Sequence, residues 1–340
     1  MPDLTLVAEF DHQVTGVTVT NDGRTFVNFP RWTEDTAVSV AELMDDGQLR
    51  PYPDDDWNRW RNAKKGEVSP GDHWVCVQAV VADGESVWVL DPAAPATAHL
   101  VEGGPKLVEI DLGGDRVVRT IRFGEDVAPE GSYLNDVRFS PDGQWAYITD
   151  SGWRGALVVV DLADGSARRV LDGHPSTQPE DDVTVEIDGE PLRRPDGRGA
   201  VFAADSIALS NDGETLYWKA LTGRTLYRVA TSALRDAGLS ADALADAVET
   251  VGQTEVTDGL WIHSSGRFFL TAVEKYAVIE RDGDQETVAV QDDRLRWPDT
   301  MSEGPDGAVY VTASHIQDSP WFDPDADKAV PSALFRFDPD

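Results

Sequence analysis

VTNDGRTFVNF (19–29), VVADGESVWVL (80–90), FSPDGQWAYIT (139–149), LSNDGETLYWK (209–219), IHSSGRFFLTA (262–272) and EGPDGAVYVTA (303–313) are six copies of one pattern, a turn between two short apolar runs. Asp-Gly or Ser-Gly supplies the residue of positive φ that a hairpin turn needs, and the flanking β-branched and aromatic residues favour strands. Aligned on Gly23, Gly84, Gly143, Gly213, Gly266 and Gly307, the copies recur in steps of 61, 59, 70, 53 and 41 residues. Each step also holds two more strand-like runs, such as Ala156–Asp161 and Ala167–Leu171 in the third unit. Four strands per unit and six units predict an all-β fold, a six-bladed β-propeller. The last unit has only three strands, ending at Ala333–Phe337, so the spare N-terminal run Leu4–Phe10 is expected to close the last blade and remove its open edge.

On this reading residues 1–340 form a single domain with insertions at about 52–75, 172–204, 230–251 and 314–331. The first insertion carries Trp57, Trp60 and Trp74, the second a small hairpin turning at Asp188-Gly189, and the last joins two strands of the final blade. These three are read as caps over one rim. Within 239–251, Leu244, Val248 and Val251 follow Ser240 at helical spacing, which predicts a surface helix with a serine N-cap.

A chain of 340 residues that is 41% hydrophobic can bury a substantial core. Lys and Arg number 29 against 62 Asp and Glu, a net charge of −33 that repels nucleic acids and anionic membranes and suits a heavily hydrated surface. Cys76 stands alone between Val75 and Val77, so a buried thiol is expected and no disulfide framework. The start, Met1-Pro2-Asp3-Leu4-Thr5, lacks a basic and then apolar leader, and no stretch approaches the roughly 20 apolar residues of a membrane span. A cytoplasmic location is expected. No glycine-rich phosphate loop, nucleophile elbow or zinc-type histidine pair stands out, which argues against a nucleotide cofactor and a nucleophilic triad.

The first strand of a propeller blade lines the central channel, so polar residues just ahead of each repeat converge at one mouth. Eight residues before the turn glycine stand Asn135, Asp205, Asp258 and Asp299, in blades three to six, and Gln78 has the same parity in blade two. Blade one offers only Thr15 and Gly16 there. Carboxylates brought so close need relief by a cation, by protonation or by a hydrogen-bonded ligand. A divalent cation, calcium foremost, held by Asn135, Asp205, Asp258 and Asp299, is the expected cofactor. Around the mouth, Arg31, Trp32, Trp153, His174, Gln178, Trp297 and His315 lie in loops suited, with Gln78, to contact a small-molecule ligand.

Several of these stretches resemble the yellow and major royal jelly protein family, in its microbial branch related to dopachrome tautomerase. The resemblance rests on Asn28-Phe29-Pro30-Arg31-Trp32, Val77-Gln78 with Trp88-Val89-Leu90-Asp91, Leu134-Asn135-Asp136 with Ala146–Gly152, Val170–Gln178, Ala204-Asp205 with Leu216–Arg224, and Trp297-Pro298-Asp299-Thr300. It implies a six-bladed propeller with a ligand-binding channel, and activities that range from dopachrome conversion to amine binding. The chain is more distantly similar to the gluconolactonase and regucalcin group, where acidic and amide side chains hold a divalent metal. Asn135 and Asp205 match two of those ligands, whereas the blade-one glutamate of that group is replaced by Thr15-Gly16.

Two functions follow as expectations. One is an enzyme acting as a lactone hydrolase or tautomerase on a cyclic or polyhydroxylated substrate, with Asp205 or Asp299 moving the proton. The other is a non-catalytic protein that binds an amine or a sugar in the same channel.

Overall fold

Every repeat turn folds for the same local reason. In the computed structural model, which describes residues 3–95 and 99–339, all six turn glycines have positive φ, between 58° and 89°. Met1 and Pro2 lie outside the described residues. In three copies a hydroxyl placed three residues before the glycine accepts from an N–H one or two residues after it: Thr20 from Arg24, Ser140 from Trp145 and Ser210 from Thr215, each at 2.9 Å. The same hydroxyls donate to Asp22, Asp142 and Asp212, so the S/T-x-D-G signature pins both sides of the turn.

Six four-stranded antiparallel sheets result, beginning with the inner strands Gly16–Val19, Ala79–Asp83, Leu134–Phe139, Ala204–Leu209, Thr257–Ile262 and Pro298–Glu303. Each inner strand touches the next, and the sixth returns to the first, which makes the six-bladed propeller. The last sheet is completed by Thr5–Phe10, which pairs antiparallel with Ser332–Phe337, as the missing fourth strand required. Around that seam the Ser332 hydroxyl accepts from Val14 N–H at 2.9 Å and donates to the His12 carbonyl at 2.6 Å.

Apolar side chains fill the spaces between blades rather than one central core. Trp88 of blade two stacks on Phe139 of blade three at 5.0 Å, and Tyr147, Ile207 and Trp218 share the seam between blades three and four. Cys76 is fully buried, and burial pushes its thiol far up, which keeps it protonated.

The insertions differ in part from expectation. Asp188 and Gly189, at φ 55° and 81°, turn the short hairpin Glu186–Ile187 and Glu190–Pro191 as predicted. The predicted helix over 239–251 is shorter: only Ala241–Asp246 is helical, behind the Ser240 cap, and a second short helix covers Thr231–Arg235. Residues Glu249–Gln253 instead form the outer strand of blade four against Thr225–Ala230. Thr250 and Val251 are β-branched, and the open edge of the third strand wins them from the helix. Among the described residues no helix is long and apolar enough to cross a membrane.

One buried ion pair ties the first insertion to blade two. Lys106 Nζ donates to Asp91 at 2.7 Å and to the carbonyls of Pro70 and Gly104, and neither charged side chain is exposed. Asp91 also accepts from the N–H groups of Val75, Cys76 and Ala93. Burial drives the Lys106 ammonium down and Asp91 holds it up. Asp91→Asn leaves that ammonium without a counter-charge and is expected to cost about 3–5 kcal/mol in urea unfolding, part of which Lys106→Met restores in the double variant.

Candidate functional site

The inner strands of blades three to six share an irregularity that the first two blades lack. Pairing with the second strand slips between Leu134 and Val137, Ala204 and Ser206, Thr257 and Leu260, and Pro298 and Met301, so each strand carries an extra residue there. The bulged residues include Asn135, Asp205, Asp258 and Asp299. A β-bulge bends the strand and re-aims the side chain at its extra residue, here into the channel. In blades one and two the inner strand pairs with the second without a slip.

Threonines on the second strands hold three of these bulges. Thr149, Thr271 and Thr312 accept from the N–H groups of Asp136, Gly259 and Thr300 at 3.3, 2.8 and 3.0 Å. Two also lock neighbouring blades: Thr149 donates to the Asp205 carbonyl and Thr312 to the Thr15 carbonyl, at 2.6 and 2.7 Å. Gly259 lets blade five approach blade six, since a Cβ there would lie 2.1 Å from the Asp299 carbonyl. In blade one, Asn28 fills the inward space. It donates to Thr15 and to the carbonyls of Val77 and Gln78, and a Cβ on Gly16 would stand 2.0 Å from its Oδ1.

The four re-aimed residues and Gln78 form the floor of a cavity of about 570 Å³, within the size range of small-ligand sites. Asn135, Asp205, Asp258 and Asp299 are each less than a tenth exposed. Burial, then the charges of Asp258 and Asp299, push Asp205 well above the usual carboxyl range. Burial and Asp258 do the same to Asp299, against the pull of the Thr300 and Ser314 hydroxyls. Asp258 is pushed up to about 6 by burial, restrained by the Trp297 indole, which donates to it at 2.6 Å. Asp205 and Asp258 lie within hydrogen-bonding reach of one another, so the pair can share a proton.

Aromatic walls rise from this floor. Tyr133 donates to Gln78 Oε1 at 2.8 Å and accepts from Trp32 Nε1 at 2.6 Å, which leaves the Gln78 amide nitrogen to the cavity. Trp32 in turn packs on Trp321 at 4.6 Å. Tyr133 is itself positioned by the buried Asp150, which accepts its N–H at 2.8 Å and pairs with Arg169. Trp153, two-thirds exposed, and Phe202 stand at the rim with Arg194 and Arg198.

The expected ligand contacts thus divide. Gln78, Trp32, Trp153 and Trp297 line the cavity, whereas Arg31, His174, Gln178 and His315 do not. Arg31 is fully buried and donates to the carbonyls of Thr36, Trp74 and Asn58. Burial lowers its ionisation to about 10. His174 caps a short turn through Ser176, Gln178 donates to the Gly155 carbonyl, and His315 meets Asp318. His174 and His315 satisfy their own loops, while Arg31 and Gln178 bond carbonyls of neighbouring segments. Insertions 172–204 and 314–331 contribute Pro179, Arg194, Arg198, Phe202, Ile316 and Trp321 to the lining; insertion 52–75 contributes none. Sequence reading missed Tyr133, which has the parity of Asn135, and Arg194, Arg198 and Trp321, whose loops follow no repeat.

The donor set tests the expected calcium ion. Calcium takes about six to eight oxygens. Among the described residues no three Asp, Glu, His or Cys side chains are grouped to hold one metal ion. Asp258 is engaged with Trp297 and Asp205, and the blade-one position offers Gly16. As the side chains stand, they do not fit the ion, and the raised ionisation of Asp205 and Asp299 points to a retained proton as the relief of their repulsion.

Over residues 76–328 the chain matches the family model described as major royal jelly protein. No curated protein matches it in sequence. Among solved structures it is similar to a luciferin-regenerating enzyme, with TM-score 0.60 and 12% identity over 99% of this chain and 95% of that one. A gluconolactonase from Xanthomonas campestris aligns with TM-score 0.58 and 10% identity over 99% and 89%. A calcium-binding protein, regucalcin, from Agrobacterium tumefaciens aligns with TM-score 0.56 and 14% identity over 98% and 93%. These likenesses show the shared propeller fold.

Because the Asp299 carbonyl occupies the space beside Gly259, Gly259→Ala must push blades five and six apart. The expected cost is about 1–3 kcal/mol, read as a lower urea midpoint, whereas Gly266→Ala, at a turn with open space around it, alters only the turn.

Proposed function

The chain belongs to the major royal jelly protein family, and from that footing we propose that it is an enzyme that moves protons on a small cyclic or polyhydroxylated substrate, as a lactone hydrolase or tautomerase. The carrying observation is that Asp205, Asp258 and Asp299 line the buried floor of one substrate-sized cavity, where burial and their mutual charge raise Asp205 and Asp299. Neighbouring carboxyls in such a place cannot all ionise together, so an acid and a base coexist near neutral pH.

In this reading Asp205 holds the proton it shares with Asp258 and serves as the acid. Asp299, which burial and Asp258 hold above the usual carboxyl range while the Thr300 and Ser314 hydroxyls pull it back toward ionisation, serves as the base in its ionised form. For a tautomerisation, the base takes a proton from the carbon beside a carbonyl while the acid gives one to the carbonyl oxygen. For a lactone, the base takes a proton from the attacking water and the acid protonates the departing ring oxygen. Gln78 and Asn135 are suited to orient polar substituents. The fold shared with a gluconolactonase supports the lactone choice, and the family supports either.

Assays of metal-stripped protein against lactones and dopachrome, repeated with calcium, manganese and zinc, test the reading. Turnover is expected, with Asp205→Asn and Asp299→Asn each lowering kcat/KM by about 100- to 10,000-fold. Turnover that appears only when a metal returns assigns the electrophile to the ion rather than to a carboxyl proton. No turnover of either substrate class and no metal affinity removes the enzyme and leaves the binding protein, which a ligand stabilises to heat without being consumed.

A further inference from the structure

Among the described residues, Arg194 is the arginine whose guanidinium donates no hydrogen bond and meets no carboxylate. Its neighbours are rings: Trp321 at 5.7 Å and Phe322 at 5.8 Å from the guanidinium carbon. Acidic residues outnumber basic ones 62 to 29 in this chain, so counter-charges are abundant, yet among the described residues none forms an ion pair with this side chain, and Asp196 acts on it only from a distance. The nearby Asp196 is taken by Arg198, at 2.6 Å. Arg194 is half-buried at the cavity wall, where an unpaired charge is costly. Burial and the adjacent Arg198 both pull its ionisation down.

Its position is built. The Arg194 N–H donates to the Arg198 carbonyl at 2.7 Å, Gly197 N–H returns to the Arg194 carbonyl at 2.8 Å, and Arg193 bridges Gly199. Gly197, at φ 86°, permits the tight turn. The hairpin therefore holds a cation over the opening of a cavity whose floor is acidic.

We propose that Arg194 anchors a carboxylate of the substrate, so that the preferred ligands are flat, cyclic monocarboxylates that enter with their neutral polar end toward Asp205 and Asp299. This rests on the reading of the cavity as the substrate site. A guanidinium fork matches a carboxylate with two parallel hydrogen bonds. A phosphate dianion would bring a second negative charge toward the acidic floor with no further unpaired cation to meet it. The Trp32–Trp321 pair runs from beside Arg194 to Tyr133 and Gln78, which gives a flat ring a face to lie on between the two polar ends.

Calorimetric titration of the intact protein with benzoate, benzamide, benzylamine and phenyl phosphate tests this without requiring turnover. Benzoate is expected to bind about 10- to 100-fold more tightly than benzamide and more tightly than phenyl phosphate or benzylamine. Arg194→Gln should bring benzoate to the affinity of benzamide, with benzamide unchanged. Arg194→Lys, which keeps the charge and loses the fork, should fall between. Arg59→Gln, at an exposed arginine paired with Asp56 in the insertion that contributes nothing to the lining, should leave the preference in place. Unchanged thermal midpoints establish that the variants fold. Tighter binding of the amine or the phosphate, no benzoate binding at millimolar concentration, or an Arg194→Gln variant that keeps the carboxylate preference overturns the proposal. Those outcomes leave the proton-transfer reading standing, and a failure of turnover leaves the anion preference to be read by binding alone.

Discussion

Closure of the ring governs everything else in this molecule. Six sheets can bury their faces only against one another, and the last sheet lacks a strand until Thr5–Phe10 returns to Ser332–Phe337. Once that seam is made, the inner strands lie side by side around a channel, and the N-terminal ends of all six face one mouth. Side chains far apart in sequence, from Gln78 to Asp299, then share a single small volume.

Within that volume the backbone departs from regular pairing where the polar residues stand. The slips in blades three to six each fall on a residue of the floor. Threonine hydroxyls satisfy the N–H groups the slips leave behind, and two of them carry the connection into the next blade. The irregularity is thus fully hydrogen-bonded where these hydroxyls act, and it aims groups whose mutual repulsion a regular strand would have kept apart. The consequence is electrostatic: burial and like charge push Asp205 and Asp299 well above the usual carboxyl range, toward their protonated forms.

The insertions give the site its opposite polarity. The floor comes from the repeats and is acidic, while the rim comes from the 172–204 and 314–331 insertions and presents Arg194, Arg198, Phe202 and Trp321. The two ends of the cavity thus differ in chemistry. Because the rim comes from loops and the floor from the repeats, the two can change separately on one scaffold.

The blade repeat, its six-fold count, the closing strand and the inward parity of Gln78, Asn135, Asp205, Asp258 and Asp299 were legible in the sequence, because turn chemistry and strand alternation are local and repeat at each blade. The 241–246 helix was legible at its Ser240 cap but not at its end, where a neighbouring strand edge took Glu249–Gln253. The loop residues were harder to read: Arg31, His174, Gln178 and His315 have the side chains of ligand contacts, yet their partners are nearby carbonyls or a local hydroxyl or carboxylate. By contrast, Tyr133, Arg194 and Trp321 reach the cavity through contacts more than a hundred residues distant in sequence. Sequence alone determined which residues point inward, since alternation along a strand needs no partner. Only the tertiary structure decided which of them meet, which protons they keep and which cation stands unpaired above them, because those depend on distances and burial set by the closed ring and its loops.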